Sequence, residues 1–290
     1  MQKVRKAVFP VAGLGTRVLP ATKVLPKEML ILVDKPLIQY AVEEARSAGI
    51  EQFCFVSAYG KEILERHFDT TRHLEEMLQQ RGKLKELELA RAHEIPAGQL
   101  YVTQQRTPKG LGHAIWCAKE FIGNEPFAII LPDDVVLAKK PCLAQMVEAY
   151  QETGGNMVAV VDVPKAETKK YGILDIAEDK GTLVSVKGLV EKPEPEVAPS
   201  TLSIIGRYIL QPQVLDYLGQ HEIGAGGEIQ LTDSMAKLIG SQPFHGVRYE
   251  GLRYDCGSAA GLLEANVAFA LARPDLNADV RARLTKLLQT

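Results

Sequence analysis

The stretch Lys6-Ala-Val-Phe-Pro-Val-Ala12, continued by Gly13-Leu-Gly-Thr-Arg17, decides the fold of this chain. Its first part is apolar nearly throughout, which is typical of a strand that is covered on both faces. The two glycines after it allow the backbone to approach a ligand closely and to direct N–H groups at an anion. The sequence therefore predicts a buried strand that leads into a candidate phosphate-binding loop.

The residues that follow this loop predict a parallel α/β unit. Apolar residues at helical spacing predict a helix over 37–48, begun by Pro36 and ended by Gly49. A second apolar run, Gln52–Ser57, predicts the next strand. Strand, loop, helix and strand in this order favour a parallel pairing with a right-handed crossover. Because ligands of such sheets bind beyond the carboxyl ends of the strands, the loops at those ends are where chemistry is expected.

The alternation of strands and helices continues with one interruption. Between residues 61 and 94 the charge is dense and apolar residues recur at helical spacing, which predicts two or three surface helices with a solvated charged face. The other expected strands are 100–103, 127–131, 157–163, 173–176, 183–190 and 203–210, and the other expected helices are 111–121, 142–153, 212–218, 231–240, 258–272 and 274–289. This pattern predicts an α/β fold with a mostly parallel, mixed central sheet, β-additions in the second half and C-terminal helices.

The composition is that of an ordinary globular protein and disfavours several classes of function. Of 290 residues, 46% are hydrophobic and 24% are charged, and 34 basic against 36 acidic residues give a net charge of −2. This balance disfavours a nucleic-acid binder that works through bulk charge, and no apolar run approaches the roughly 18 residues that span a bilayer. The four cysteines are far apart and form no Cys-x-x-Cys pair, which indicates buried thiols in a reducing cytoplasm rather than a zinc site.

Three cations follow the glycine loop closely. Arg17, Lys23 and Lys27 fall within eleven residues, which suits a row of phosphate groups, because an arginine can hold two oxygens at once. The loop is not the dinucleotide-binding fingerprint, since that pattern needs a glycine where this chain has Val18, and no Walker motif occurs. A tight turn with solvated cations is the alternative interpretation.

Further chemistry-bearing side chains lie near the ends of expected strands. Gln105, in the loop before Gly110, offers an amide beside glycine backbone, which suits a planar base edge but also a plain loop. Asp133, just past a buried strand, suits Mg²⁺ shared with phosphate oxygens, or else a turn or a helix cap. Asp255 is a second such carboxylate, and nothing in the sequence places it near the first. The pair Glu191-Lys192 closes a strand, where a surface ion pair is the plainer interpretation.

The run from Ala12 to Met29 resembles the signature of the sugar-nucleotide pyrophosphorylases, which are nucleotidyltransferases. The variant with Lys23 and Pro26-Lys-Glu-Met29 is similar to that of the bacterial UTP–glucose-1-phosphate uridylyltransferases. Further motifs in family order are Gln105 with Lys109-Gly-Leu-Gly-His113, Leu131-Pro-Asp133, Tyr171-Gly172, Val190-Glu-Lys-Pro193, Gly206-Arg-Tyr208, Gly224-Ala-Gly-Gly-Glu-Ile-Gln-Leu-Thr-Asp233 and Tyr254-Asp-Cys-Gly257. The resemblance implies a Rossmann-like three-layer nucleotidyltransferase fold over 1–272, with 61–94 as a helical insertion, 164–210 as a β-rich sugar-binding part and 273–290 as a C-terminal helix in oligomer contact.

The resemblance also implies a reaction and the residues that carry it. UTP and glucose 1-phosphate would give UDP-glucose and pyrophosphate, with Mg²⁺ and without a general base. Arg17 and Lys27 would hold the β- and γ-phosphates of UTP, and Lys192 would hold the phosphate of glucose 1-phosphate. The expected nucleotide contacts are Ala12, Gly13, Gly15, Glu28, Gln105 and Gly110, the sugar contacts are Gly172, Glu191 and Lys192, and the metal ligands are Asp133 and Asp255.

Two other functions and several roles stay open at this point. A glucose-1-phosphate thymidylyltransferase that uses dTTP would share the fold and the chemistry, and a non-catalytic sugar-nucleotide sensor is a remote alternative. The run 224–233 marks the family without an assigned chemical step, and His113 and Trp116 are expected to be structural. We expect a cytoplasmic homodimer or homotetramer that binds neither nucleic acid nor membrane.

Overall fold

The computed structural model describes residues 2–289. The strands in this range are β1 (Lys6–Pro10), β2 (Ile31–Leu32), β3 (Lys35–Pro36), β4 (Gln52–Ser57), β5 (Leu100–Gln104), β6 (Phe127–Ile130), β7 (Asp134–Leu137), β8 (Asn156–Asp162), β9 (Gly172–Asp179), β10 (Leu183–Glu191), β11 (Leu202–Leu210), β12 (Phe244–Arg248) and β13 (Leu252–Asp255). The α-helices in the same range are α1 (Leu37–Ser47), α2 (Ile63–Arg66), α3 (Arg72–Gln80), α4 (Leu84–Arg91), α5 (Leu111–Cys117), α6 (Lys119–Ile122), α7 (Cys142–Thr153), α8 (Val214–Leu218), α9 (Leu231–Ala236), α10 (Ala259–Ala272) and α11 (Asn277–Leu288).

Nine of the described strands form one central sheet, in the order β5-β4-β1-β6-β11-β8-β12-β10-β9. The pairings β5–β4, β4–β1, β1–β6 and β12–β8 are parallel, whereas β6–β11, β11–β8, β12–β10 and β10–β9 are antiparallel. The expected α/β class, with a mixed sheet and C-terminal helices, is confirmed. With the additional antiparallel pairing of β11 and β9, parallel pairings are fewer than half rather than most of those in the sheet, because the second half adds hairpin strands such as β9 and β10.

Helices cover both faces of this sheet because its strands are apolar on both sides. In β1, Ala7 and Phe9 pack towards the face that α1 and α7 cover, and Val8 packs towards the face that α5, α8 and α9 cover. All three side chains are fully buried, as is typical of parallel strands between two layers. This arrangement leaves the carboxyl end of β1 at the edge of the sheet where the glycine loop begins.

The sequence pattern does not predict β7 and β12, and β7 affects the site because it begins at Asp134, next to Asp133. β7 pairs with β13 in a separate two-stranded sheet, with Asp134 opposite Asp255. β12 lies between β8 and β10 and carries Gly246 at its centre, where a Cβ would lie 2.6 Å from Leu174 Cδ2. Its polar residues and its glycine give it the composition of a loop, although the glycine is there because the side chain of Leu174, on β9, packs so closely against it.

The inserted segment 61–94 folds as the three short helices α2, α3 and α4, in agreement with the sequence pattern. Most of its charged side chains are exposed, but Lys61 and Glu75 are buried. Glu75 accepts a hydrogen bond from Arg91 Nε at 2.7 Å. The expectation of a fully solvated charged face is therefore wrong at these two positions. The expected helix over 111–121 is also interrupted, because α5 ends at Cys117 and α6 begins at Lys119.

The helix α10 packs behind the glycine loop. Ala265 and Phe269 of α10 pack in a small core with Leu30, Leu32 and Leu37, which follow the loop in the chain. α11 continues along the surface, and none of its described side chains is buried. No helix within residues 2–289 is both long enough and apolar enough to cross a membrane.

Candidate active site

Two cavities meet near the carboxyl ends of β1, β5 and β6. Cavity A, of about 440 Å³, has a lining that includes Ala12, Gly13, Gly15, Lys27, Gln105, Gly110, Asp133 and Glu228. Cavity B, of about 310 Å³, has a lining that includes Arg17, Asp133, Tyr171, Gly172, Glu191, Lys192, Thr232, Arg253 and Asp255. Asp133 belongs to both linings and marks the junction of the two cavities.

A larger open groove of about 870 Å³ lies beside α7 and the end of β12. Its lining includes Arg248, whose guanidinium nitrogens donate to both carboxylate oxygens of Asp179 at 2.9 Å. The groove contains none of the residues that the sequence indicates as functional. The size of a cavity therefore does not identify the candidate active site in this molecule. The charged residues at the junction of cavities A and B identify it.

The glycine loop is compact, and its compactness determines where Lys27 lies. Gly15 has a φ of 67°, which glycine adopts without steric strain, and its carbonyl accepts a hydrogen bond from Thr22 Oγ1 at 2.7 Å. A side chain at Gly15 would place a Cβ only 3.1 Å from the Cβ of Lys27. The glycine thus lets the loop lie directly against Lys27, whose ammonium group reaches the junction.

Two cations and two carboxylates converge at this junction. Lys27 Nζ lies 2.6 Å from Asp133 Oδ2. Arg17 bridges the carboxylates, with Nη2 at 3.9 Å from Asp133 Oδ2 and Nη1 at 3.5 Å from Asp255 Oδ2. The carbonyl of Asp133 also accepts a hydrogen bond from the backbone N–H of Cys256 at 2.8 Å. The structure therefore brings Asp133 and Asp255 together, although they are far apart in the sequence.

Lys27 and Asp133 are both largely buried, and each stabilises the charged form of the other. Burial by itself would raise the pKa of Asp133, but the Lys27 ammonium group and its hydrogen bond lower that pKa below its usual value. Burial by itself would lower the pKa of Lys27, but the charges of Asp133 and Glu28 raise that pKa above its usual value. Both groups therefore stay ionised at neutral pH, and the junction holds a fixed cation beside a fixed carboxylate.

The carboxylates of Asp133 and Asp255 are suited to hold Mg²⁺. A Cβ built on Gly257 would lie 2.9 Å from Asp255 Oδ1 and 3.0 Å from Asp133 Oδ2, with the Arg17 guanidinium against the same point, so oxygens of both carboxylates face one position that a cation occupies. Mg²⁺ prefers oxygen ligands and usually takes one or two carboxylates, with water and substrate phosphates completing its shell. In the part of the chain that the structure describes, no three His, Cys, Asp or Glu side chains form a metal cluster. The two aspartates thus fit a metal that shares its remaining positions with a substrate.

The neighbouring Asp134 is held by other contacts than Asp133. Its Oδ1 accepts a hydrogen bond from Arg253 Nε at 2.7 Å, and its Oδ2 accepts one from the backbone N–H of Gly206 at 2.9 Å. Both of its oxygens therefore tie β7 to β13 and to β11. Asp134 therefore has a structural role, and Asp133 remains the candidate metal ligand.

A buried ion pair supports the glycine loop. Lys61 Nζ donates hydrogen bonds to the carbonyls of Val11 and, at 2.7 Å, Gly13, and it lies 3.0 Å from Glu28 Oε2. Burial raises the pKa of Glu28 and lowers that of Lys61, so each charge depends on the other. Glu28 is fully buried and lines neither cavity. In this structure the Glu28 side chain contacts Lys61 and neither cavity, and its expected contact with a nucleotide stays a prediction.

Gln105 follows β5 directly and has a fixed side chain. Its Nε2 lies 2.9 Å from the carbonyl oxygen of Gly110 and 3.0 Å from Nδ1 of His113. The side chain lines cavity A and is 7% exposed. An amide held in this way presents one defined polar edge to whatever enters the cavity.

The run 224–233, to which the sequence assigns no chemical step, closes over the junction. A Cβ on Gly110, whose φ is 99°, would lie 2.7 Å from the Cβ of Glu228. The backbone N–H of Gly112 donates to the carbonyl of Ile229 at 2.9 Å. Glu228 lines both cavities, and Thr232 lines cavity B. The run therefore forms one wall of the cavities. It can lie this close to the loop before α5 because Gly110 and Gly112 have no side chains.

Cavity B has a glycine floor beside a carboxylate and a lysine. A Cβ on Gly172 would lie 3.1 Å from Thr232 Oγ1 and 3.3 Å from Glu191 Oε2. Lys192 Nζ lies 3.3 Å from Glu191 Oε1, and the lysine side chain is 47% exposed. Lys192 has a φ of 48°, a left-handed conformation that is uncommon for residues other than glycine, and its backbone N–H donates to the carbonyl of Tyr171 at 2.9 Å.

All but one of the site residues predicted from the sequence line a cavity. They are Ala12, Gly13, Gly15, Arg17, Lys27, Gln105, Gly110, Asp133, Gly172, Glu191, Lys192 and Asp255. Glu28 is the exception, and Lys23, the third cation of the loop, is exposed and lines neither cavity. Sequence reasoning missed the buried Lys61 and the wall residues Glu228, Thr232 and Arg253.

The junction offers cations and carboxylates rather than a nucleophile paired with a base. Such a set neutralises phosphate groups and positions them, which is the main requirement of phosphoryl transfer. The glycine floor of cavity B and the amide of cavity A provide space and polarity for two different groups on either side of the phosphates. The arrangement is chemically suited to joining two phosphorylated molecules.

Comparisons with known proteins agree with this arrangement. The family model described as nucleotidyl transferase matches residues 6–270. A UTP–glucose-1-phosphate uridylyltransferase of Komagataeibacter xylinus is 58% identical over 258 residues, which cover 89% of this chain and 91% of that protein. The structure of a UTP-bound UGPase from Acinetobacter baumannii is 37% identical, with a TM-score of 0.89 over 98% of this chain and 99% of that one.

A third relative extends the similarity to a sugar-nucleotide complex. The structure of a UDP-glucose pyrophosphorylase complexed with UDP-glucose is 40% identical, with a TM-score of 0.83 over 93% of this chain and all of that one. Family model, sequence relatives and solved structures agree over nearly the whole length. The chain belongs to the nucleotidyl transferase family, among the UTP–glucose-1-phosphate uridylyltransferases.

Proposed function

We propose that this chain transfers the uridylyl group of UTP to glucose 1-phosphate, giving UDP-glucose and pyrophosphate. The observation that carries the proposal is the junction of cavities A and B at Asp133, where Arg17, Lys27 and Asp255 converge. The printed names of the relatives, one bound to UTP and one to UDP-glucose, support the same pair of substrates. The nucleotide lies in cavity A and the glucose in cavity B, with the phosphates between them.

The nucleotide half of the site uses the glycine loop and the amide of cavity A. Ala12, Gly13 and Gly15 leave room for the nucleotide against backbone. Gln105 and Gly110 contact the uracil. This division of roles is supported by their shared lining of one cavity and by the fixed amide of Gln105.

The phosphate chain of UTP needs cations. Arg17 and Lys27 hold the β- and γ-phosphates, so that charge is neutralised as it develops on the leaving pyrophosphate. Lys27 is well suited because burial and its carboxylate neighbours keep it charged and in one place. Arg17 is suited because its guanidinium group can hold two oxygens at once.

The sugar half of the site orients the nucleophile. Glu191 accepts hydrogen bonds from sugar hydroxyls over the floor formed by Gly172, and Lys192 directs the phosphate of glucose 1-phosphate. That phosphate is mostly a dianion at neutral pH, because its second pKa is about 6, so no general base is required. One of its oxygens attacks the α-phosphorus of UTP, and the bond to the β-phosphate breaks with its electron pair leaving on pyrophosphate.

Mg²⁺ is the cofactor that the acidic pair fits best. Asp133 and Asp255 would hold it at the junction, where it supplies additional positive charge to the phosphate oxygens when bound. Asp133 contributes because its lowered pKa keeps it ionised. Asp255 contributes a second carboxylate, whose Oδ2 lies 3.5 Å from Arg17 Nη1.

We further propose a cytoplasmic homodimer or homotetramer that contacts neither nucleic acid nor membrane. In support of the location, the four cysteines are free thiols and three of them are buried, which suits a reducing compartment. In support of association, α10 is mostly apolar, yet Leu263 is 67% exposed. The C-terminal part, 273–290, together with α10, is the surface that we assign to the contact, and 1–272 is the catalytic domain.

The proposal is tested by a coupled pyrophosphate-release assay with UTP, glucose 1-phosphate and Mg²⁺. We expect release that requires all three components and that falls at least about 100-fold when the metal is removed by a chelator. Replacing UTP by dTTP tests the thymidylyltransferase alternative through the ratio of the two kcat/KM values. Absence of release with both UTP and dTTP from a folded protein would leave the sugar-nucleotide sensor as the function.

A further inference from the structure

The carboxamide of Gln105 can have only one orientation in this structure. Its terminal atom at 2.9 Å from the carbonyl oxygen of Gly110 must be a donor, because a backbone carbonyl only accepts hydrogen bonds. That atom is therefore Nε2 rather than Oε1, because the reversed amide would place two acceptor oxygens against each other. The second N–H of the same nitrogen is directed at His113 Nδ1, 3.0 Å away.

The histidine must accept this second hydrogen bond. An amide NH₂ group cannot accept, so Nδ1 of His113 carries no proton and the ring is neutral, with any proton on Nε2. The ring is 9% exposed and is packed between Trp116, with centroids 6.1 Å apart, and His221, with centroids 5.7 Å apart. Its pKa is lowered by burial and by the neighbouring His221 and Lys109. The neutral acceptor form is therefore the one that the fold favours.

The two bonds to Nε2 leave Oε1 as the polar atom of Gln105 that is available to a base. The structure shows no hydrogen bond from any described residue to Oε1, and the side chain lines cavity A. Uracil carries a donor at N3, which pairs with an acceptor such as Oε1. Cytosine carries an acceptor at N3, so N3 and Oε1 would both be acceptors and no hydrogen bond would form between them. An oriented amide therefore distinguishes the two pyrimidines at this position.

We propose that His113 is a positioning residue that holds the Gln105 amide with its acceptor towards the base and thereby makes the enzyme select UTP over CTP. The inference rests on the proposed function, because it concerns the nucleotide of that reaction. It assigns to His113 a role beyond the structural one expected from the sequence. The residue acts through Gln105 and touches no reacting atom.

Two substitutions distinguish the effect of the hydrogen-bond acceptor of His113 from the effect of its ring shape. His113→Phe keeps an aromatic ring beside Trp116 but removes the acceptor, and His113→Asn places an amide oxygen near the position of Nδ1. The measured quantity is kcat/KM for UTP divided by kcat/KM for CTP. We expect the ratio to fall about fivefold or more in His113→Phe, the size of one ordinary net hydrogen bond, and to stay within about twofold of the unmodified enzyme in His113→Asn.

The kinetic signature is a raised KM for UTP with kcat little changed, since the base lies away from the reacting phosphorus. A double-mutant cycle with Gln105→Ala tests whether the histidine acts through the amide. In the Gln105→Ala background, His113→Phe should not change the UTP to CTP ratio further. Thermal unfolding of each variant identifies loss of folding, and His113→Asn alone still tests the proposal if His113→Phe does not fold.

Two results would overturn the inference while leaving the proposed function intact. One is a UTP to CTP ratio within twofold of the unmodified enzyme in a folded His113→Phe variant. The other is an effect of His113→Phe that persists in full when Gln105 is alanine. If His113→Phe does not fold, an altered ratio in His113→Asn contradicts the role of the acceptor. Failure of the unmodified enzyme to form UDP-glucose from UTP is a distinct result that would refute the proposed function itself.

Discussion

Lys192 shows how one residue can combine backbone strain with a role in the site. Its φ of 48° costs stability for any side chain with a Cβ, and its ammonium group lies at cavity B beside Glu191. Lys192→Gly removes the cation and relieves the strain. We expect the free energy of unfolding to change by no more than about 1 kcal/mol, while kcat/KM for glucose 1-phosphate falls about 100-fold or more.

Chemical denaturation and steady-state kinetics on the same sample of Lys192→Gly separate these two effects. Lys192→Ala is the comparison, because it removes the cation and keeps the strained backbone. Near-native kcat/KM for glucose 1-phosphate in both variants would show that Lys192 does not hold the sugar phosphate.

The pair of Lys61 and Glu28 predicts a second effect at the scale of residues. Lys61→Met leaves the fully buried Glu28 carboxylate without its partner, and breaking such a pair costs about 3 to 5 kcal/mol of unfolding free energy. It also releases the carbonyls of Val11 and Gly13. We therefore expect urea unfolding to show a large loss of stability together with a raised KM for UTP.

The pH dependence of this loss has a definite sign. Burial raises the pKa of Glu28 in the folded state above its usual value, so the folded state binds the proton more tightly than the unfolded state does. Stability must then fall as pH rises through the range above the ordinary glutamate pKa of about 4.3. Lys61→Met should be less destabilised at pH 5 than at pH 8, and Lys61→Met with Glu28→Leu should recover most of the loss. A destabilisation independent of pH would contradict this explanation.

Some site residues could be predicted from the sequence and others could not, and the difference has physical causes. Arg17, Lys27 and Asp133 follow strands whose apolar pattern is clear, so their place at the end of the sheet could be predicted. Lys61 begins a highly charged segment, where a buried lysine has the same local pattern as a solvated one. Glu28 lies among the same cations as the true lining residues, and only the packing of the loop shows that it is buried beneath them.

At the scale of elements, the contact between the loop before α5 and the run 224–233 shapes cavity A. Gly110→Ala would place a Cβ 2.7 Å from the Cβ of Glu228 and 2.9 Å from the carbonyl oxygen of Ile229, which forces the two segments apart. We expect kcat/KM for UTP to fall at least about tenfold, since small displacements in a positioning site are costly.

Gly123→Ala is the matched control for this steric effect. Gly123 also has a positive φ, of 58°, but a Cβ there meets no atom within 4 Å. The control should lose stability by about 1 to 3 kcal/mol through backbone strain and keep its KM for UTP. Equal effects of the two substitutions on KM would show that the contact with the run 224–233 does not shape the site.

The elements that sequence reasoning missed are those whose stability comes from neighbours. β7 is short and forms because it pairs with β13, with Asp134 fixed by Arg253. β12 contains a glycine and two polar residues and is stabilised by β8 and β10. Their local pattern could not reveal them, and so the proximity of Asp255 to Asp133 could not be predicted from spacing either.

At the scale of the molecule, the alternation of apolar strands and amphipathic helices was enough to predict an α/β sheet with helices on both faces. The share of antiparallel strands could not be predicted in this way, because it depends on the long-range pairing of β11 with β6 and β8. Nor does the sequence say where the exposed apolar side of α10 is covered. That question concerns the assembly as a whole.

The proposed contact between copies predicts a change in oligomeric state. Leu263→Lys places a charge on the exposed apolar side of α10, and desolvating an unpaired charge in an interface costs several kcal/mol. We expect light scattering to show dissociation of the variant at micromolar concentration. Leu89→Lys, on α4 at a residue that is 71% exposed, should leave the mass unchanged. An assembly that survives Leu263→Lys would place the contact elsewhere.

The central claim is that cavities A and B together hold one sugar nucleotide, with its diphosphate at the charged junction. A crystal structure with UDP-glucose and Mg²⁺ measures this most directly. We predict the uracil against Gln105, the glucose over Gly172 beside Glu191, and the diphosphate between Arg17 and Asp133. A ligand bound in the large groove beside α7, or lying away from these side chains, would contradict the account.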